Sequence, residues 1–103
     1  MFDQTSFVNT VQRYVQEVTN HMSPAAIVLF GSYANGTPHE DSDIDIAVIF
    51  NGFQGDWLEA SALLWGLTEN ISTYIEPVLL DRFDDPSGFV DEVYKTGHIL
   101  YSA

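Results

Sequence analysis

Cysteine is absent from the 103 residues, which removes disulfides, thiolate metal sites and a cysteine nucleophile together. Positive charge is nearly absent as well: 3 Lys and Arg face 15 Asp and Glu, for a net charge of −12 and an isoelectric point near 4.1. No Lys or Arg occurs between Arg13 and Arg82. That long middle stretch has nothing with which to neutralise a phosphate backbone, so direct nucleic-acid binding is not expected. Long apolar runs are missing too. The longest, residues 25–30 and 44–50, the latter interrupted by Asp45, fall far short of the ~20 residues that span a bilayer, so no membrane segment is expected. The opening MFDQTSF carries an acid where a secretion signal would carry positive charge, and the expected location is cytoplasmic. What is present supports a core: 46% of the residues are hydrophobic and 14% aromatic, enough for one domain over residues 1–103.

Periodicity divides the chain into short elements. Phe7, Val11, Val15, Val18 and Met22 recur at spacings of three or four and predict an amphipathic helix over 5–22, stopped by Ser23-Pro24. The apolar run 25–30 ends in Gly31-Ser32 and reads as a buried strand. A turn-rich stretch, 31–41, leads to a second strand over 43–50. Asp56 is a plausible N-cap for a helix reaching about residue 70, with Trp57, Leu58, Leu63, Leu64, Trp65 and Leu67 spread over more than one face. That breadth exceeds one buried face, so the two tryptophans are expected in the core and part of the surface in a protein interface. A third strand is expected over 73–80, with Pro77 confining it to a sheet edge or forcing a bulge near Glu76. Asp85-Pro86 opens a last helix carrying Phe89, Val90, Val93 and Tyr94, with Gly97 as a left-handed cap, and the tail 98–101 is expected to pair or pack. The order gives an α/β (α+β) domain: a single small mixed sheet flanked by helices.

One cluster calls for chemistry rather than packing. Glu40, Asp41, Asp43 and Asp45 crowd into six residues at the entrance of an apolar strand. Alternation puts Asp43 and Asp45 on one face and Ile44, Ile46 and Val48 on the other. Two carboxylates about 6–7 Å apart along a strand repel unless a cation sits between them, and hard oxygen ligands suit Mg²⁺. Upstream of Asp43, with ten residues intervening, a strand running into Gly31-Ser32 supplies a phosphate-binding turn: glycine admits close backbone approach, and the hydroxyl and following amides donate hydrogen bonds. His21 and His98 show no partner pattern, and His39, placed in the loop where it could touch a nucleotide, is expected to be a solvent-exposed loop residue.

The string Phe30-Gly31-Ser32, ten residues, then Asp43-Ile44-Asp45 resembles the signature of the nucleotidyltransferase superfamily that includes DNA polymerase beta, and in particular its minimal nucleotidyltransferases, the MNT proteins. The resemblance covers nearly the whole chain, through the ending Gly97-His98-Ile99-Leu100-Tyr101. It implies the polymerase beta-like fold. It also implies a site in which Gly31 and Ser32 hold the triphosphate of ATP, and Asp43 and Asp45 bind two Mg²⁺. Glu76, the one acid inside the third strand, would complete the metal site and take a proton from the attacking hydroxyl. Such small members often act with a separately encoded helical HEPN protein, and some are antitoxins that attach AMP to a tyrosine of the HEPN toxin. The resemblance therefore implies transfer of AMP to a hydroxyl of a partner protein. Two other readings stand beside it: an MNT module that neutralises a HEPN-type partner by contact alone, and an antibiotic-modifying type of nucleotidyltransferase that needs a homo-oligomer or partner to form its acceptor site. Two positions depart from the family pattern. Glu76 stands where Asp is common, and Asn35 where the turn often carries an arginine, so charge neutralisation falls to Mg²⁺ or to a partner's Arg or Lys.

Overall fold

The computed structural model describes residues 4–36 and 43–103, so His39, Glu40, Asp41 and Ser42 lie outside the described residues. Its elements are α1 (Gln4–His21), β1 (Ala26–Phe30), β2 (Ile44–Phe50), α2 (Trp57–Gly66), β3 (Ile75–Asp81), α3 (Phe89–Thr96) and β4 (His98–Ser102). The four strands form one sheet in the order β3-β2-β1-β4. β1 pairs antiparallel with both β2 and β4, whereas β2 and β3 run parallel, joined by the α2 crossover. The mixed sheet with three helices is the expected α+β architecture, and the tail does pair, as β4 against β1.

Alternation along the strands feeds two cores. Ile27 and Leu29 of β1, Ile44, Ile46 and Val48 of β2 and Ile75 and Leu79 of β3 face one side, under Val11, Tyr14 and Val18 of α1 and Leu64 of α2. Ala26, Val28, Ala47 and Ile49 face the other side, under Val90 and Val93 of α3. The two helices of the first layer are tied by a buried hydrogen bond in which the Tyr14 hydroxyl donates to the Leu64 carbonyl at 2.8 Å. Burial pushes the Tyr14 phenol well above its usual range, so it stays a donor.

Pro77 sits on an edge strand, as its missing donor requires, and the β2–β3 register runs unbroken past it with Pro77 opposite Ile46. Three expectations shift. The second helix ends at Gly66 rather than near residue 70. Glycine is a costly helix residue, and the Thr68 hydroxyl donates to the Trp65 carbonyl at 2.7 Å, closing the helix into turns. α3 begins at Phe89, three residues after Pro86, where the Asp85 carboxylate accepts from the Val90 amide at 3.1 Å. Gly97 is extended (φ −89°, ψ 177°), not left-handed. A glycine stands there because a Cβ would press on the Val28 side chain and on the Leu29 and Val93 carbonyls, all within 2.6 Å. This close approach lets β4 turn back directly under α3.

Candidate functional site

The antiparallel register sets Phe30 beside Asp45, and the parallel register sets Asp45 beside Glu76. The three side chains therefore share one row across β1, β2 and β3, on the sheet face that also carries α3. Asp43 precedes Asp45 on the same side of its strand and is exposed, while Asp45 and Glu76 are half-buried. Asp43 and Asp45 both lie close enough for their charges to act on Glu76. Partial burial and the Asp43 charge push the Asp45 carboxyl above its ordinary value of 3.8. Glu76 is pushed above 4.5 by burial first, then by the charges of Asp43 and Asp45. Both shifts have the same two causes in the same order, partial burial first and then the neighbouring carboxylate charge.

The end of β1 delivers the turn to the same place. Gly31 has a left-handed φ of 77°, and the space a Cβ would fill there is occupied by the Asp45 carboxylate. The Asn35 amide donates to the Gly31 carbonyl at 3.0 Å, so residues 31–35 make a single helical turn with the half-buried Ser32 at its start. Two contacts from distant elements hold this turn. The Tyr33 ring stacks on Phe7 of α1, with centroids 4.7 Å apart and planes within 10°. The His98 Nε2 donates to the Ala34 carbonyl at 3.1 Å from β4, across 64 residues of sequence. The sequence shows no partner pattern for His98, because its partner is reached only through β1–β4 pairing. On the far side, Phe89 at the start of α3 meets Phe30 edge-on at 5.7 Å and walls the row.

Among the described residues, no three His, Asp or Glu side chains close around a point as a finished metal cage. The donor set is instead an open one: carboxylates on adjacent strands, mutually repelling and reached from solvent. Such a set fits Mg²⁺, which is bound through one or two carboxylates and completes its octahedron with water and phosphate oxygens. Asn35 is exposed, and residues 31–36 contain no Lys or Arg. Arg13 donates to the Asn70 carbonyl, and Arg82 lies over the Tyr94 ring at 5.2 Å.

No curated protein gives a significant match to the sequence. Solved structures do. A candidate nucleotidyltransferase from Sulfolobus solfataricus superposes with a TM-score of 0.62 at 20% identity, covering 98% of this chain and 90% of that one. A toxin-antitoxin solved with AMP-PNP superposes with a TM-score of 0.64 at 27% identity, over 92% of this chain and 73% of that one. The toxin-antitoxin MntA-HpeT, in a doubly substituted form, gives 0.60 at 22% identity over 99% and 75%. The sequence profile of the family described as polymerase beta, nucleotidyltransferase, matches residues 12–103. With nine-tenths of its residues inside that profile and the same sheet beneath them, the chain belongs to the polymerase beta nucleotidyltransferase family.

Proposed function

We propose that the protein is a Mg²⁺-dependent nucleotidyltransferase that moves AMP from ATP to a hydroxyl of a partner protein, and that it serves as the antitoxin of a HEPN-type toxin. The observation that carries this is the meeting of Asp43, Asp45 and Glu76 in one carboxylate group beside the Gly31 turn. The toxin-antitoxin solved with AMP-PNP supports the choice of nucleotide and the kind of partner.

In this reading Gly31 and Ser32 receive the triphosphate. The glycine lets the backbone approach closely, and the Ser32 hydroxyl and the amides after it donate to phosphate oxygens. Asp43 and Asp45 would hold Mg²⁺, which supplies neutralisation of charge on the entering and leaving oxygens when bound. Glu76 takes the proton from the acceptor hydroxyl as that oxygen forms its bond to the α-phosphorus. Burial and the neighbouring carboxylates raise its proton affinity above that of an ordinary Glu, which favours a proton-accepting role. The bond from the α-phosphorus to the bridging oxygen breaks, and pyrophosphate leaves with the electron pair. Phe30 and Phe89 limit water on the α3 side of the row.

The test mixes the protein with labelled ATP, Mg²⁺ and the helical protein encoded beside it. Label should move onto the partner with the wild type and not with Asp43→Asn/Asp45→Asn. A partner that binds and is neutralised equally by both proteins, with no label transferred, defeats the enzymatic reading in favour of neutralisation by contact. The exposed Asn35, where a cation is absent, is the observation that favours this second reading.

A further inference from the structure

The chain buries only one side chain of α2 completely. Leu64 is inside, while Leu58 is 80% exposed, Trp65 50%, Trp57 41% and Leu63 36%. The expectation of core tryptophans is thus reversed. Leu58, Ala62 and Trp65 stand at i, i+4 and i+7, so they form one straight stripe along the solvent side of the helix. Ala62, in the middle, is small enough to admit a close neighbour. The stripe sits on a firm base: Phe53 meets Trp57 edge-on at 5.3 Å, and Phe50 meets Phe53 at 5.2 Å, anchoring the start of α2 to β2.

Charge selects among the possible occupants. Asp56 caps the helix, the exposed Glu59 flanks the start of the stripe in the first turn, and Glu69 lies just beyond the end of the helix. Residues 56–70 contain no Lys or Arg, and the whole chain carries −12. A second copy would bring the same acids against these. Anionic lipid and nucleic acid would be repelled too.

We infer that the outer face of α2 is a docking surface for an amphipathic helix of another protein, whose apolar stripe covers Leu58, Ala62 and Trp65 and whose flanks carry Lys or Arg. Apolar anchors at helical spacing with complementary charges at the rim are the requirements of helix-on-helix recognition. α2 covers the sheet face opposite the carboxylate row, since Leu64 packs with Ile46 and Val48 whereas Asp45 shares its face with Ala47 and Ile49. A helix docked here leaves the Gly31 turn and the carboxylates open. The surface is therefore independent of the nucleotide chemistry, and its test can fail while the catalytic reading stands.

The probe is a 14-residue Leu/Lys peptide patterned as an amphipathic helix, titrated against the intact protein and followed by amide chemical shifts. Shifts should centre on residues 58, 62 and 65. Leu58→Ser/Trp65→Ser, both exposed sites, should weaken binding at least tenfold with the melting temperature kept. Leu58→Glu serves as a second variant if that pair is less stable. Glu59→Gln should weaken binding a few-fold and lessen its salt dependence, and Asp91→Asn/Glu92→Gln on α3 should leave it unchanged. A scrambled peptide of the same composition binding equally well, shifts centred instead on the separate groove that Val8, Val11 and Val15 of α1 line with Ile99 and Leu100 of β4, or no binding at all would each overturn the assignment. So would a dimer in sedimentation that Leu58→Ser/Trp65→Ser converts to monomer, because a second copy would then own the face.

Discussion

The Asp45 carboxylate occupies the volume in which a side chain at residue 31 would begin, so Gly31 and Asp45 are a matched pair rather than two separate motif residues. The glycine has φ +77°, and two costs therefore coincide on substitution. Gly31→Ala places an L residue in the left-handed region, at about 1–2 kcal/mol, and also displaces Asp45. At roughly 4–8 °C per kcal/mol, the melting temperature should fall by at least about 4 °C. Nucleotide-dependent stabilisation should vanish as well. A Gly31→Ala protein that melts like the wild type and still responds to ATP would show that this approach is not required.

The carboxylate row predicts a stability that depends on both pH and metal. Asp45 and Glu76 have folded-state pKa values raised above their ordinary 3.8 and 4.5, so the native state holds these protons more tightly than the unfolded chain. Their contribution to stability is present below the unfolded values and is lost as pH rises through the folded ones. In a chelator the wild type should therefore lose stability from this pair as pH rises from below these ordinary values toward neutral, and excess Mg²⁺ should restore it. Asp43→Asn/Asp45→Asn should be at least as stable as the wild type in chelator at neutral pH and gain nothing from Mg²⁺. Thermal unfolding at two pH values with and without the metal decides this, and an equal Mg²⁺ response in both proteins would refute it.

The part of this site that could be read from sequence is the part set by local rules. Alternation assigns Asp43 and Asp45 to one face, and Pro77 allows β3 an edge or a bulge, of which the structure takes the edge, because strand period and a missing donor act within a few residues. His98 and the Phe7–Tyr33 stack were invisible, since each joins residues that only the β1–β4 pairing and the α1 packing bring together. The tryptophans of α2 misled for a related reason. Apolarity shows that a surface avoids water, but not whether the shelter is inside this chain. Gly97 is not the left-handed cap that its place after a helix predicts: it is extended, and glycine is required there by crowding against β1 and α3.

His98 predicts a split between binding and stability. Its Nε2–H reaches the Ala34 carbonyl from an exposed position, so the bond orders the turn more than it stabilises the fold. A net hydrogen bond of about 0.5–1.5 kcal/mol corresponds to a loss of roughly two- to tenfold in nucleotide affinity for His98→Ala. The melting temperature should barely change. His98→Gln, which can still present an N–H, should recover part of the affinity. Equal nucleotide dissociation constants for wild type and His98→Ala would remove His98 from the site.

Asp81 predicts the opposite pH sign from the carboxylate row. At the end of β3 its carboxylate accepts from the amides of Gly52, Phe53 and Phe83, each at 2.9 Å, and so pins the β2–α2 connection to the end of the sheet. The Phe53 bond, then those of Gly52 and Phe83, hold its pKa below the ordinary 3.8. A lowered folded-state pKa gives stability that is present above the unfolded value and is lost as pH falls through the folded one. Asp81→Asn keeps one acceptor oxygen and loses the charge, so it should melt below the wild type at neutral pH. The gap should narrow below about pH 4, where the wild-type carboxylate also takes up its proton. Melting curves of the two proteins in chelator, run from acidic to neutral pH, check this: a gap that stays constant or widens toward acid would mean that the three amides do not depend on the Asp81 charge.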